Sequence, residues 1–365
     1  MKNTKFIQQF TPNWFAVTMG TGGTALVLNH FAKALPLLGH IAAIIWLVNI
    51  ILFITFSFLL TLRFITHPHH IRLMLAHPVQ PLFLGCIPMG LITIVNGFMS
   101  FGCHLFDPSL AFSIAHGLWW LDVALSLFIS WLIPFAMFML QDHELKTMTP
   151  VWLLPLVACE VAASSGGLLI PHISTTIRPW VFVVSWSLWS ISVLLAFGVI
   201  AIFFKRLVLH SLPDKMLAPS IWLVLGPIGT GVLGLITISQ AAGALVGHYP
   251  AVMQQMLEIL PSIGLWAAIV LWGLGFWWFI TALVSTAYHW SKGMEFSLSW
   301  WAFTFPLAVL TLGTFAIADH TQMAFFNIAG IIGATLLVIF WLNVSYKTLI
   351  GTFNQTLFSA PCLIR

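Results

Sequence analysis

The chain has 365 residues, of which 60% are apolar and only 6% are charged, whereas about a quarter of an ordinary soluble domain is charged. So few charges cannot cover a water-soluble fold. The net charge of +4 is scattered among apolar runs, so we expect no nucleic acid partner. Membrane-spanning helices need about 20 apolar residues. Runs of that length, without alternating ten-residue segments, predict an all-α polytopic membrane protein and not a β-barrel.

Ten apolar runs, bounded by polar residues, Pro or Gly, predict ten transmembrane helices arranged as five helical hairpins. Residues 1–10 contain no apolar run, so we expect no removable signal peptide. The connections are short, which predicts a single transmembrane domain over residues 1–365. The predicted spans are 12–31, 38–63, 80–102, 112–139, 150–170, 179–204, 217–246, 259–288, 298–317 and 323–346.

The basic residues predict the orientation of these spans. Ten spans place both termini on one side of the membrane. Eleven of the 13 Lys and Arg residues then fall on that side, and only Lys33 and Arg178 fall opposite. Because basic loops stay in the cytoplasm, we predict an inner (plasma) membrane protein with cytoplasmic N- and C-termini.

Glycine and proline interrupt the odd-numbered spans more densely than most even-numbered ones. Such breakers are tolerated where the freed backbone groups are buried in protein or line a water-filled path. We therefore predict that the odd-numbered helices line a central pore and that the even-numbered helices surround them. For any single glycine, close helix packing is the alternative. The predicted pore-lining breaks are Gly20, Gly22, Gly23, Pro88, Gly90, Gly166, Gly167, Gly226, Pro227, Gly229, Gly231 and Pro306.

Two carboxyl groups fall deep inside predicted spans, Asp122 in the fourth and Glu160 in the fifth. Ionisable residues at bilayer depth are candidates for function. Glu160 is a candidate proton site, or else a neutral, hydrogen-bonded group; for Asp122 a structural hydrogen bond is favoured. No Lys or Arg lies near the middle of a span. An anion path would therefore need backbone N–H groups and the positive ends of helices.

The cysteines and histidines predict no metal centre, and we expect no cofactor. Cys86, Cys103, Cys159 and Cys362 are far apart, without Cys-x-x-Cys spacing, and are expected to be small core residues rather than disulfides or metal ligands. The loop with His67, His69, His70 and His77 contains no acidic or cysteine ligand. It lies where basic residues would meet lipid phosphates.

Four motifs are distributed along the chain. They are Pro-Asn-Trp-Phe-Ala-Val-Thr-Met-Gly-Thr-Gly at 12–22, His77-Pro78, Gly-Pro-Ile-Gly-Thr-Gly at 226–231 and Trp-Trp-Ala-Phe-Thr-Phe-Pro at 300–306. These motifs resemble those of the tellurite-resistance/dicarboxylate transporter family, and the similarity runs over essentially the whole chain. This family includes the bacterial tellurite-resistance protein, fungal malate permeases and sulfite efflux pumps, and plant slow anion channels.

The resemblance implies ten helices with the odd-numbered ones inside, one pore per protomer and a homotrimer. It also implies a pore-blocking phenylalanine on the ninth helix, for which Phe305 is the best match and Phe303 the alternative. An aromatic ring at a constriction can gate by rotating or by excluding water.

These observations predict an anion channel or transporter for sulfite-like, halide or nitrate anions, with C4-dicarboxylates also open. The alternative is a proton-coupled, malate-type dicarboxylate carrier. A dicarboxylate would be helped by a cation in the pore, and the sequence places none there. A membrane-embedded enzyme is disfavoured, because its catalytic groups would have to cluster at one depth. A subunit without transport activity would have its centre packed shut.

Overall fold

The computed structural model describes residues 2–247 and 250–363, and these residues form helices joined by short connections, without β-strands. This confirms the all-α class. Arg365, counted above among the cytoplasmic basic residues, lies outside the described residues. Of Lys2 and Lys5 only the backbone is described.

Ten helices make up most of the fold, and we number them in chain order. Their bounds are α1 Phe15–His30, α2 Pro36–Thr66, α3 Cys86–Gly97, α4 Pro108–Leu140, α5 Leu154–Leu169, α6 Arg178–His210, α7 Leu225–Ala241, α8 Ala251–Ser291, α9 Phe305–Thr321 and α10 Ala324–Phe353. Short helices cover Lys2–Gln9 and His69–Leu75 on the side of the chain termini. A π-helical turn, Phe98–Gly102, extends α3.

Burial alternates along the chain. In the even-numbered helices, 22–33% of the most apolar 18-residue stretch is buried, against 72–94% in the third, fifth, seventh and ninth segments. Most residues of α1 are buried as well. The odd-numbered helices therefore form an inner group, and the even-numbered ones present apolar side chains outward.

Within the described residues, nine helices are long and apolar enough to cross a membrane. They correspond to the second to tenth predicted spans. The first predicted span corresponds to α1, which has only 16 residues and is rich in Thr and Gly. Its role as a tenth span stays a prediction.

A 3₁₀ turn precedes every inner helix. In four of the five turns a proline occupies one of the first two positions, where its missing N–H is not needed by the helix. In the ninth segment the proline is Pro306, at the second position of α9. The repeated turn makes the five inner segments structurally equivalent. The turns are Pro12–Trp14, Gln80–Gly85, Pro150–Leu153, Ala218–Val224 and Leu298–Phe303.

The inner helices are continuous through the positions where we predicted breaks. α1, α5 and α7 run without interruption across residues 20–23, 166–167 and 226–231, and α3 runs across Pro88 and Gly90. The helical geometry changes instead at the 3₁₀ turns before them. The absent breaks are those at Gly20, Gly22, Gly23, Pro88, Gly90, Gly166, Gly167, Gly226, Pro227, Gly229 and Gly231, whereas Pro306 does lie where a turn meets its helix.

Most of these glycines instead allow neighbouring helices to approach closely. A Cβ on Gly167 would lie 2.6 Å from the carbonyl carbon of Thr237, so α5 touches the backbone of α7 there. Gly229 of α7 meets the backbone of Leu310 in α9 in the same way. Because glycine has only a hydrogen atom as its side chain, it lets the inner helices pack closely. Close helix packing is the alternative to a pore-lining break that the sequence left open.

Replacing Gly167 by Ala is expected to reduce the free energy of unfolding by about 1–3 kcal/mol, because the new methyl group would overpack against backbone atoms. Those atoms belong to Thr237 and Ile238 and lie 2.6–2.8 Å away. Thermal unfolding of the detergent-purified protein measures the effect. Gly198→Ala is the matched control, because no atom lies within 4 Å of that position on α6. Equal melting temperatures for the two variants would contradict the proposed contact.

Candidate functional site

A small cavity lies where the five inner segments begin. Each segment contributes to its lining, for example Met19, Cys86, Leu154, Leu223 and Phe305. The inner helices therefore run parallel to one another, with their N-terminal ends around one space. The cavity measures about 30 Å³, which is room for about one water molecule.

The lining is apolar apart from two serine hydroxyl groups, and no charged side chain of the described residues belongs to it. The Ser299 hydroxyl donates to the carbonyl oxygen of Met216 at 2.9 Å. The Ser220 hydroxyl is buried and has no hydrogen-bond partner within the described residues. A buried hydroxyl without a partner lowers stability unless a ligand or water uses it, and among the described lining residues Ser220 is the one with such a hydroxyl group.

Five helix N-termini around one cavity give it a positive potential without a basic residue. Each helix carries the equivalent of about half a positive charge at its N-terminal end. The N–H group at each junction already donates to a carbonyl oxygen of the preceding 3₁₀ turn, so the attraction comes from the helix dipoles and not from unpaired N–H groups at these junctions. Helix N-termini are therefore favourable places for anions. The geometry suits a weakly hydrated anion of low charge.

The two candidate gate residues lie in different surroundings. Phe305, the first residue of α9, is buried and lines the cavity beside Pro306. Its ring also reaches α1, where a Cβ on Gly23 would lie 3.5 Å from Phe305 Cδ2. Phe305 is therefore placed to obstruct the centre of the inner group.

Phe303 packs among other aromatic residues. Its ring centroid lies 5.6 Å from that of Trp222, 5.7 Å from that of Trp300 and 5.1 Å from that of Phe340 on α10. It is not part of the cavity lining. This position makes Phe303 a packing residue between the inner group and α10.

Among the candidate pore-lining glycines, Gly226 differs from the rest. The nearest atom to a Cβ built there, Val157 Cγ1, is 4.0 Å away. The other glycines would bring a Cβ within 3.0 Å of a neighbour. These are Gly20 and Gly23 against α9 or its preceding turn, Gly22 against Thr93, Gly90 against Thr18, Gly166 against Ser185, Gly167 and Gly229 against backbone, and Gly231 against Leu271. Gly226, in the first turn of α7, therefore faces unfilled space.

Glu160 lies on α5 but faces α6 and α7. One carboxylate oxygen, Oε2, accepts a hydrogen bond from Ser192 of α6 at 3.0 Å. The other, Oε1, has no hydrogen-bond partner within the described residues and would lie 3.0 Å from a Cβ on Gly231. Glu160 does not line the central cavity.

Asp122 is also fully buried, on α4. It accepts a long hydrogen bond, 3.4 Å, from Ser126 one turn later on the same helix. Neither buried carboxyl group is therefore brought to the centre of the inner group.

The histidine-rich loop forms a stacked cluster on the side of the chain termini. The ring centroids of His67 and His70 lie 5.0 Å apart and those of His69 and His70 4.2 Å apart. His67 is hydrogen bonded to Gln8 at 2.8 Å. Burial, and then the neighbouring His69, Arg63 and His67, lower the pKa of His70. Among the described residues, no three His, Cys, Asp or Glu side chains are arranged so that they could hold a metal ion.

The four cysteine thiols are free in the structure. Cys86 and Cys159 are buried, and Cys86 lines the central cavity as a small side chain. Sequence reasoning did not identify Ser220, since a lone serine in an apolar run has no periodic signal. The proline that recurs in four of the five turns before the inner helices could have pointed to it, because Ser220 follows Pro219.

The chain is similar to one protein family and to several proteins named as transporters. Residues 9–349 match the voltage-dependent anion channel family designated SLAC1. A sulfite efflux pump of Trichophyton rubrum is 33% identical over 354 residues, which cover 96% of this chain and 93% of that protein. An uncharacterized transporter of Methanocaldococcus jannaschii is 28% identical, covering 97% and 98%. A malic acid transport protein of Schizosaccharomyces pombe is 25% identical, covering 93% and 78%.

Proposed function

The chain belongs to the SLAC1 family of voltage-dependent anion channels, and on that premise we propose that it carries singly charged oxyanions across the membrane. The observation that carries this proposal is the central cavity. Five helix N-termini surround it, and the unpartnered Ser220 hydroxyl lies in its lining. Anion transport also agrees with the matched family and with relatives named sulfite and malic acid transporters.

The proposed cargo is a sulfite-like anion in its singly protonated form. The fungal relatives named sulfite efflux pumps are similar over 96% of this chain, which favours sulfite over other anions. A dianion would need a compensating cation near its path, because a second charge raises the cost of leaving water steeply. The cavity lining offers one free hydroxyl group and helix dipoles instead. Bisulfite meets these conditions better than the sulfite dianion.

We propose that Phe305 is the gate. Its position in the lining of a cavity of about 30 Å³ supports this role, since that space does not admit a sulfite-sized anion. Rotation of the ring, or its removal, would widen the space without changing the surrounding helices. Gly226 is next to unfilled space but does not belong to the cavity lining, so we assign it no role in the gate.

The membrane and assembly are also proposals. The distribution of basic residues supports a plasma-membrane location with cytoplasmic termini. The resemblance supports a homotrimer with one pore in each protomer. Membrane lipids and a small anion are then the partners.

A proton-coupled dicarboxylate carrier is the second candidate, favoured by the similarity to a malic acid transport protein. Coupling through Glu160 would need this carboxyl group to exchange protons with the transport path. Glu160 contacts Ser192 and the backbone position of Gly231, and it does not line the central cavity. We therefore rank this function second.

Replacing Phe305 by Ala is expected to raise bisulfite flux several-fold in liposomes that contain the purified protein, because the ring no longer fills the cavity. Phe303→Ala is the matched control, since it removes the same ring from the aromatic cluster. It is expected to lower the melting temperature and to leave flux per folded molecule unchanged. Increased flux in Phe303→Ala but not in Phe305→Ala would assign the gate to Phe303.

Replacing Ser220 by Ala is expected to reduce bisulfite flux by about tenfold, since a hydrogen bond to a charged group contributes about 1.5–3 kcal/mol. Ser299→Ala is the control, because that hydroxyl lines the same cavity but already donates to Met216. Both variants should be measured in the Phe305→Ala background, in which the path is open. Equal fluxes in the two variants would remove Ser220 from the path.

A further inference from the structure

A second cavity lies at the C-terminal ends of the outer helices α6 and α8, and it shares no lining residue with the central cavity. Its volume is about 440 Å³. The loop that follows α6 forms one wall and the last turn of α8 forms the other. The basic residues of this region place the cavity on the face predicted to be cytoplasmic.

Two lysine side chains in the lining are held in place by uncharged oxygen atoms. Lys215 Nζ donates to the carbonyl oxygen of Lys292 at 2.6 Å. Lys292 Nζ donates to the hydroxyl oxygen of Tyr288 at 2.7 Å and lies 4.4 Å from the centroid of the Tyr288 ring. Each ammonium group keeps further N–H donors. Neither forms an ion pair with a carboxylate of the described residues, so both positive charges are available to a ligand.

His289 joins the two walls of this cavity. Its Nδ1 lies 2.8 Å from the carbonyl oxygen of Ser285, and its Nε2 lies 3.0 Å from the carbonyl oxygen of Pro213. The buried His289 side chain therefore ties the loop to α8.

The loop itself is held in an uncommon conformation. Ser211, which lines the cavity, has φ +62°, a region that residues other than glycine rarely adopt. Arg206 holds it, because its guanidinium donates to the Ser211 carbonyl oxygen and also to the carbonyl oxygen of Lys146 at 3.0 and 3.2 Å. Backbone strain of this kind is typical of binding sites, where the surrounding contacts fix the geometry.

The surroundings of the cavity indicate where its ligand comes from. Asp214 is the acidic residue of the lining, which also contains the two lysines, so the net charge of these three side chains is positive. The neighbouring side chains of Val208, Met216 and Trp290 are 70%, 66% and 59% exposed, as expected for residues that touch lipid. A cationic pocket between helix ends, at the border between apolar and polar surface, is suited to a lipid headgroup.

We propose that this cavity binds the phosphate group of an anionic membrane lipid. Lys215 and Lys292 contact the phosphate oxygens, and Tyr288 lies at the headgroup level. The lipid would hold the loop 211–215 against α8. The proposal concerns binding and does not depend on which anion the central path carries.

The test compares the binding of two short-chain lipids, phosphatidylglycerol and phosphatidylcholine, and of inorganic phosphate to the detergent-purified full chain. Thermal unfolding followed by tryptophan fluorescence gives the apparent Kd of each. We expect saturable stabilisation by phosphatidylglycerol. The double variant Lys215→Gln/Lys292→Gln is expected to bind it at least about tenfold more weakly, because each lysine near a membrane surface adds substantially to the affinity for anionic lipid.

Lys146→Gln/Lys205→Gln is the matched control, since it removes two positive charges from the same face without touching the cavity lining. It should bind like the wild type. Asp214→Asn provides a second variant, which should bind phosphatidylglycerol more tightly. If inorganic phosphate stabilises the protein as well as the lipid does, phosphate recognition holds and its source is soluble. Equal binding of the two lipids, or equal loss in both double variants, would overturn the proposal.

Discussion

The close approach of the inner helices at glycine is the constraint on which the other features depend. Gly167 and Gly229 let α5, α7 and α9 meet backbone to backbone, which leaves little room between them. Because these helices are parallel, their approach also brings their N-terminal turns together around one cavity. The outer helices then cover the group with apolar surface. The same small residues thus determine both the stability of the inner group and the position of its positive potential.

That arrangement solves the problem of stabilising an anion without a buried cation. A lysine or arginine in the path would hold an anion tightly and slow its release, whereas conduction requires binding weak enough to leave. Helix N-termini and the Ser220 hydroxyl offer a weaker and distributed attraction. Apart from Ser299, the remainder of the lining, including the Phe305 ring, is apolar. Helix dipoles and one hydroxyl group in an apolar lining stabilise a single negative charge better than two.

The apolar runs predicted the all-α class, because a membrane span needs a long apolar helix. The density of Gly and Pro predicted which helices lie inside, because small residues allow the close packing of the inner group. The predicted spans of the long outer helices were too short. The helices α6 and α8, for example, extend beyond the apolar runs 179–204 and 259–288 from which they were predicted. The sequence could not tell what each glycine faces, because a glycine in contact with a helix and one beside empty space, such as Gly167 and Gly226, look alike. Nor could it separate Phe303 from Phe305. That choice depends on the change from a 3₁₀ turn to α-helix between them, which rotates one ring into the aromatic cluster and the other into the cavity.

If the path carries one negative charge at a time, sulfite flux must depend on pH as the bisulfite concentration does. Liposomes containing the Phe305→Ala protein would be given a fixed total sulfite concentration at a series of pH values, and empty liposomes would correct for leakage. We expect an initial rate that follows the bisulfite concentration, and a current that corresponds to one charge for each sulfur transported. A rate that follows the sulfite dianion, or a larger flux of malate together with protons, would show that the path does not select a single charge.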